Sequence, residues 1–155
     1  MKTRAEQFAR LVVRPALKTL DLWSPAAERL VLGTALVESN LDYIEQIGGG
    51  PALGFFQMEP DTANDIWRNY LAYRPDLLAK VMVLSVSDID RTAQLAGNAY
   101  FGAALCRVHY FRVPAALPAV NDSAGLAAYW KQHYNTAKGA GTPAKFLQAL
   151  ERFDA

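Results

Sequence analysis

The sequence predicts an all-α domain, and three observations carry that prediction. Helix-start pairs recur: Ser24 before Pro25 and Thr142 before Pro143 each join a capping hydroxyl to a proline at the first helical position. Apolar residues return at spacings of three and four through most segments between turn clusters. Strict apolar–polar alternation shows only in the brief "VMVLSVSDI", read as a helix end plus turn. About seven helices are expected in a single domain, 1–155, long enough to bury a sizeable core.

Each element follows from local signals. The N-terminal segment, 1–22, reads as an amphipathic helix with Phe8, Leu11, Val12, Ala16 and Leu20 on one face. Ser24 and Pro25 open a helix through about Glu38. Asp61, after Pro60, is the expected cap of "TANDIWRNYLAY". A short helix is expected over "PDLLAKVMVL". Ser87 or Asp88 begins one long helical run that stops before Pro114. Ser123 opens "AGLAAYWKQHY", and Thr142 opens the last helix, 142–154. The turn-rich connections are "GGGPALG", "VPAALPAVND" and "TAKGAGTP".

Composition narrows the function classes. Hydrophobic residues make up 52% and charged residues 20%, which favours folding over disorder. The 16 basic and 15 acidic residues leave a net charge of +1 and form no basic run, so no nucleic-acid partner is expected. No apolar run reaches the ~18 residues of a membrane span. The N-terminus lacks the apolar block of a secretory signal, so synthesis in the cytoplasm is expected. Cys106 is the sole cysteine and cannot form an intrachain disulfide. It reads as a buried small hydrophobe; a nucleophile paired with His109 would lack an orienting third group. His109 and His133 show no zinc-type spacing, and neither metal nor cofactor is expected.

The stretch "LVESNLDYIEQIGGGPALGFFQMEP" carries the chemistry. Val31, Ala35 and Glu38 share one side of a nearly all-apolar helix, so Glu38 extends a buried stripe into the last turn. Burial and the negative helix end both favour its protonated form, and such an acid can protonate a leaving group. The alternative is a solvated helix-end glutamate paired with Arg68 or Arg91. Gly48, Gly49 and Gly50 can be a plain connector or can admit a polymer to the backbone; no Lys-Ser/Thr pair follows, as a phosphate loop would need. Gln57, set among Phe55, Phe56 and Met58, is either a satisfied core amide or a polar contact in a groove.

"ALVESNLDY" followed by "GFFQMEPDTANDIW" resembles the soluble lytic transglycosylases and goose-type lysozymes. Their pattern is Glu-Ser at a helix end, a glycine-bearing loop, then Gly-Leu-Met-Gln-Ile-x-Pro-x-Thr-Ala. Glu38 and Ser39 match its first part; Gly54, Gln57, Pro60, Thr62 and Ala63 match its second. "NAYFGAALCRVHYF" is similar to the family's Asn-x-x-x-Gly helix at Asn98 and Gly102, and "GLAAYW" to its Ala-Ala-Tyr-Asn-Ala-Gly element at Ala127, Ala128 and Tyr129. The resemblance spans about 26–134. It departs at Trp130, where the family has asparagine, and the family's glycine-proline turn is replaced by "QHYNTAKGAGTP", with Tyr134 and Asn135 as candidate substitutes.

The resemblance implies a lysozyme-like fold and cleavage of peptidoglycan glycan strands between N-acetylmuramic acid and N-acetylglucosamine. Glu38 would be the catalytic acid and base. Ser39, Phe56, Gln57, Asn98, Tyr129 and Tyr134 would be the substrate contacts. The family uses one essential acid, and the 6-hydroxyl of the sugar itself can close a 1,6-anhydro ring; water attack would give hydrolysis instead. Asp42, Glu45 and Glu59 are the other carboxylates near the loop, each expected to be solvated. A phage setting is expected: a tail or baseplate component of the virion, or a protein released to the periplasm and wall. The competing expectation is a catalytically degenerate domain that binds glycan or builds the virion.

Overall fold

The computed structural model describes residues 3–135 and 139–154. Residues 1–2 of the expected first helix, 136–138 of the "QHYNTAKGAGTP" loop and 155 at the domain's end lie outside the described residues. Within them the chain is all-helical, in the order α1 Arg4–Phe8, α2 Arg14–Thr19, α3 Pro25–Ser39, α4 Pro60–Asn69, α5 Pro75–Val83, α6 Arg91–Gly97, α7 Ala99–Phe111, α8 Ser123–Trp130 and α9 Pro143–Asp154. Nine segments replace the expected seven because two expected helices are each broken once.

The first break has a backbone cause. Pro15 has no N–H for the carbonyl of Leu11, four residues back. The chain inserts a π-helical turn over Ala9–Val13, in which the Arg14 N–H reaches back to Ala9. The freed Leu11 carbonyl accepts the Tyr100 hydroxyl at 3.1 Å. The inserted residue rotates the helix face. Ala9, Val13, Ala16, Leu17 and Leu20 are buried, whereas Leu11, expected on the inner face, is 49% exposed. The second break is Asn98, whose extended backbone ends α6 and whose side chain accepts from the Phe101 N–H to cap α7.

The caps follow the sequence at two starts and differ at three. Ser24 accepts from the Ala27 N–H at 3.0 Å, and Thr142 from the Lys145 N–H at 3.3 Å. Pro60 itself takes the first position of α4, so Asp61 lies inside the helix rather than before it. Asp90, not Ser87 or Asp88, caps α6, and Asp122, not Ser123, caps α8.

α3 runs through the core, buried almost all round. α9 crosses it at Gly33, where an added Cβ would lie 2.5 Å from the tip of the buried Phe146 ring. α7 packs on another side, and its Tyr110 hydroxyl meets Thr34 Oγ1 at 2.8 Å. A second apolar cluster joins α2, α4, α5 and α7 through Leu20, Ile66, Leu71, Val81, Phe101 and Leu105. Between α3 and α4 the chain folds into a compact loop held by antiparallel bridges of Leu53 with Glu45 and with Met58. Gly54 there has φ +77° and turns its open side to the Leu95 carbonyl, which a Cβ would strike.

Candidate active site

α3 delivers Glu38 to its last turn on the side marked by Val31 and Ala35, both fully buried. Asn40, in the left-handed conformation at φ 52°, then stops the helix. Ser39, 2% exposed, fastens the reversal: its hydroxyl lies 2.7 Å from the Phe55 carbonyl and 3.1 Å from that of Ala35, and it accepts from the Leu41 N–H. The Ser39 hydroxyl is therefore engaged within the loop and does not line the cleft below. The Tyr43 hydroxyl donates to the Glu38 carbonyl at 2.8 Å, which holds the loop against the helix end.

A cleft of about 600 Å³ opens beside Glu38. One wall is the 40–59 loop, with Tyr43, Gln46, Gln57, Met58 and Glu59; the opposite wall is the end of α8 and its continuation, with Trp130, Tyr134 and Asn135. Glu38 and Gln57 thus line the same cleft, as do two further expected groups, Tyr134 and Asn135. Gln57 takes φ 47°, and its amide donates to the Gly54 carbonyl at 2.8 Å, so of its two readings, core amide or groove contact, it sits at the cleft surface.

Burial dominates the Glu38 carboxyl and raises its pKa from 4.5 to about 7; hydrogen bonds from Trp130 and Asn135 pull the other way. The Trp130 indole N–H donates to Oε1 at 3.3 Å. No ion pair reaches Glu38 among the described residues. Arg91, one expected partner, instead stacks 4.4 Å over the Trp67 ring, and Arg68 is exposed on α4. The other carboxylates are solvated as expected: Asp42 pairs with Arg4 at 2.7 Å, and Glu45 is exposed. Glu59 is exposed too, yet it is the one further carboxylate on the cleft wall among the described residues.

Three other expected contacts lie elsewhere. Phe56 is 2% exposed and packs between Phe8 and Gly102; only its carbonyl approaches the site, accepting the Tyr134 hydroxyl at 2.6 Å. The two positive-φ residues on either side, Gly54 and Gln57, rotate that ring into the core. Asn98 is occupied as a cap and bonds the Leu84 carbonyl, away from the cleft. Tyr129 faces another side of α8, where its hydroxyl donates to Ala115 at 2.9 Å. Its neighbour Trp130, one residue and about 100° further round the helix, takes the place beside Glu38.

His109, read from the sequence as neither a nucleophile's base nor a metal ligand, also lines the cleft. Burial and the adjacent Arg112 lower its pKa to about 4, so it is neutral at pH 7. Arg112, held by Asp65 at 2.7 Å, lies 3.0 Å from His109 Nδ1. A guanidinium can only donate, so Nδ1 accepts and the ring proton sits on Nε2. His109 stacks edge-on against Tyr134, at 5.3 Å between centroids. Among the described residues no cluster of acids, histidines and cysteine is arranged for a metal, and Cys106 is buried with its thiol pushed up by that burial. Together these features make one acid, protonated near neutrality, open to a polar cleft with amide, hydroxyl and aromatic walls. Searches of protein-family models, curated proteins and solved structures return no match for this chain.

Proposed function

We propose that this chain has a lysozyme-like fold and cleaves the glycan strand of peptidoglycan, with Glu38 as general acid and then base. One observation carries the reading: the Glu38 carboxyl, with a pKa of about 7, lies on the wall of a cleft large enough for sugar rings. With that pKa the carboxyl gains and loses its proton near neutral pH, the balance that suits proton transfer in both directions. The acid protonates the glycosidic oxygen as the bond to the anomeric carbon breaks. The Trp130 indole and Asn135 amide then stabilise the carboxylate that remains. Glu38 takes the proton of the attacking hydroxyl, either the 6-hydroxyl of the same sugar or a water, as oxygen bonds to the anomeric carbon. Gln46, Gln57, Tyr43 and Thr62 supply hydrogen-bonding groups along the cleft for hydroxyls and acetamides.

The test is incubation with purified cell-wall sacculi and mass analysis of the soluble fragments. The wild type releases fragments, and Glu38→Gln loses about 10²–10⁴-fold in rate, the usual contribution of a general acid. A variant as active as the wild type would refute the role of Glu38. The mass of the new end, anhydro or reducing, separates internal attack from hydrolysis.

One observation favours a second reading, a non-catalytic glycan-binding or structural domain. Trp130 stands where the resembled family has asparagine, and its indole occupies one of the two Glu38 oxygens. Under that reading, wild type and Glu38→Gln bind sacculi equally and release nothing.

A further inference from the structure

Arg107 on α7 is a largely buried cation with no counter-ion among the described residues. It is 8% exposed, and the hydrogen bond it makes among the described residues is from Nε to the Leu22 carbonyl at 3.0 Å. No carboxylate pairs with it among those residues. Its guanidinium lies 5.5 Å from the centre of the Phe111 ring, and its other charge interactions are with Tyr129 and Cys106, both neutral at neutral pH because burial raises them. No buried side-chain nitrogen among the described residues lacks a partner, so the guanidinium donors left over by the Leu22 bond face the pocket opening, where an anion can meet them.

The side chain lines a separate pocket of about 390 Å³ on the face of α7 turned from the Glu38 cleft. The two pockets share no lining residue, and the stacked Tyr110 and Tyr134 rings stand between them. The rest of the wall is Phe111, Val113 and the 114–117 turn, which the Tyr129 hydroxyl holds through the Ala115 carbonyl. Among the described residues no second charged side chain lines it. A single fixed positive charge suits a monoanion rather than a phosphate dianion, and the guanidinium fork matches the two oxygens of a carboxylate. The apolar wall suits a short hydrocarbon body.

We propose that this pocket binds a small monocarboxylate, its oxygens on the terminal nitrogens of Arg107 and its apolar part against Phe111, Val113 and Leu117. The probe is sodium hexanoate, with hexanamide as the neutral control, followed by amide and arginine-side-chain NMR shifts. Saturable shifts confined to Arg107, Phe111 and residues 113–117 are expected with hexanoate, and binding at least about tenfold weaker with hexanamide, the loss of a charged hydrogen bond. Ala116→Trp, at an exposed position on the pocket wall, should abolish the shifts while leaving the fold and the Glu38 cleft unchanged. Arg107→Lys should weaken hexanoate by a similar factor. Equal binding of acid and amide, shifts that survive Ala116→Trp, or no saturation in the wild type would each overturn the proposal.

Discussion

Replacing Glu38 by glutamine should make the protein more stable at alkaline pH. The sign follows from the proton. In the fold the Glu38 pKa is about 7, and its ordinary value is 4.5. Between those values the native state holds a proton that the unfolded chain has lost, so the wild type loses stability as pH rises through the window. The site contributes its full stability below pH 4.5 and settles at a constant penalty above pH 7. At 1.36 kcal/mol per pKa unit, the penalty approaches ~3 kcal/mol on the alkaline side, of which ~2.5 kcal/mol accrues between pH 5 and pH 8. Glutamine is close in shape to the protonated acid and carries no such penalty. The lowered carboxyls, Glu28, Asp42, Asp65 and Asp154, favour the opposite slope but are common to both proteins and cancel in the difference. Urea unfolding of wild type and Glu38→Gln at pH 5, 6, 7 and 8 reads the effect as a widening gap in favour of the variant. Parallel stability curves, or a gap that widens toward acid, would refute the assignment of a buried, raised carboxyl.

Two other substitutions probe the surroundings. Trp130→Phe removes the indole donor that holds the Glu38 pKa down, so the alkaline limb of a pH–rate profile should move upward, with a stability loss of about 1 kcal/mol for the lost bond and volume; an unmoved limb would separate Trp130 from the acid. Gly33→Ala drives a Cβ into the buried Phe146 ring, and the overpacking of ~1–3 kcal/mol outweighs the ~1 kcal/mol that alanine gains in a helix; thermal unfolding should show a lower Tm, and an unchanged or raised Tm would mean that α9 gives way without cost.

The legible parts of the fold were those whose causes are local. The Ser24–Pro25 and Thr142–Pro143 starts depend on one side chain and one ring, so they read directly from the sequence. For Glu38 the residues left two readings, an extension of the two-turn stripe through Val31 and Ala35 or a solvated helix end, and the packing selects the first. The face of the N-terminal helix was not legible, since Pro15 forces an extra residue into the turn and moves Leu11 outward. Rotation about α8 also decides Tyr129, which the resemblance implied as a contact. Periodicity counts residues, but Tyr129 and Trp130 differ by a third of a turn, and only packing of α8 against α3 and α9 decides which one meets Glu38. In the 40–59 loop the left-handed residues Asn40, Leu41, Gly54 and Gln57 set side-chain directions that no helix or strand period describes. Ser39 and Phe56 turn inward there while Gln57 reaches the cleft. His109 was hidden for a different reason: its role depends on Arg112 and Asp65, and Asp65 lies on a distant segment.

The central claim is that Glu38 holds a proton near neutral pH beside an open cleft. Direct titration of its side-chain carboxyl carbon by NMR, with Glu38→Gln to assign the signal, tests it. A midpoint near pH 7 is predicted. A midpoint near the ordinary value of 4.5 would contradict the account and leave the cleft without its acid.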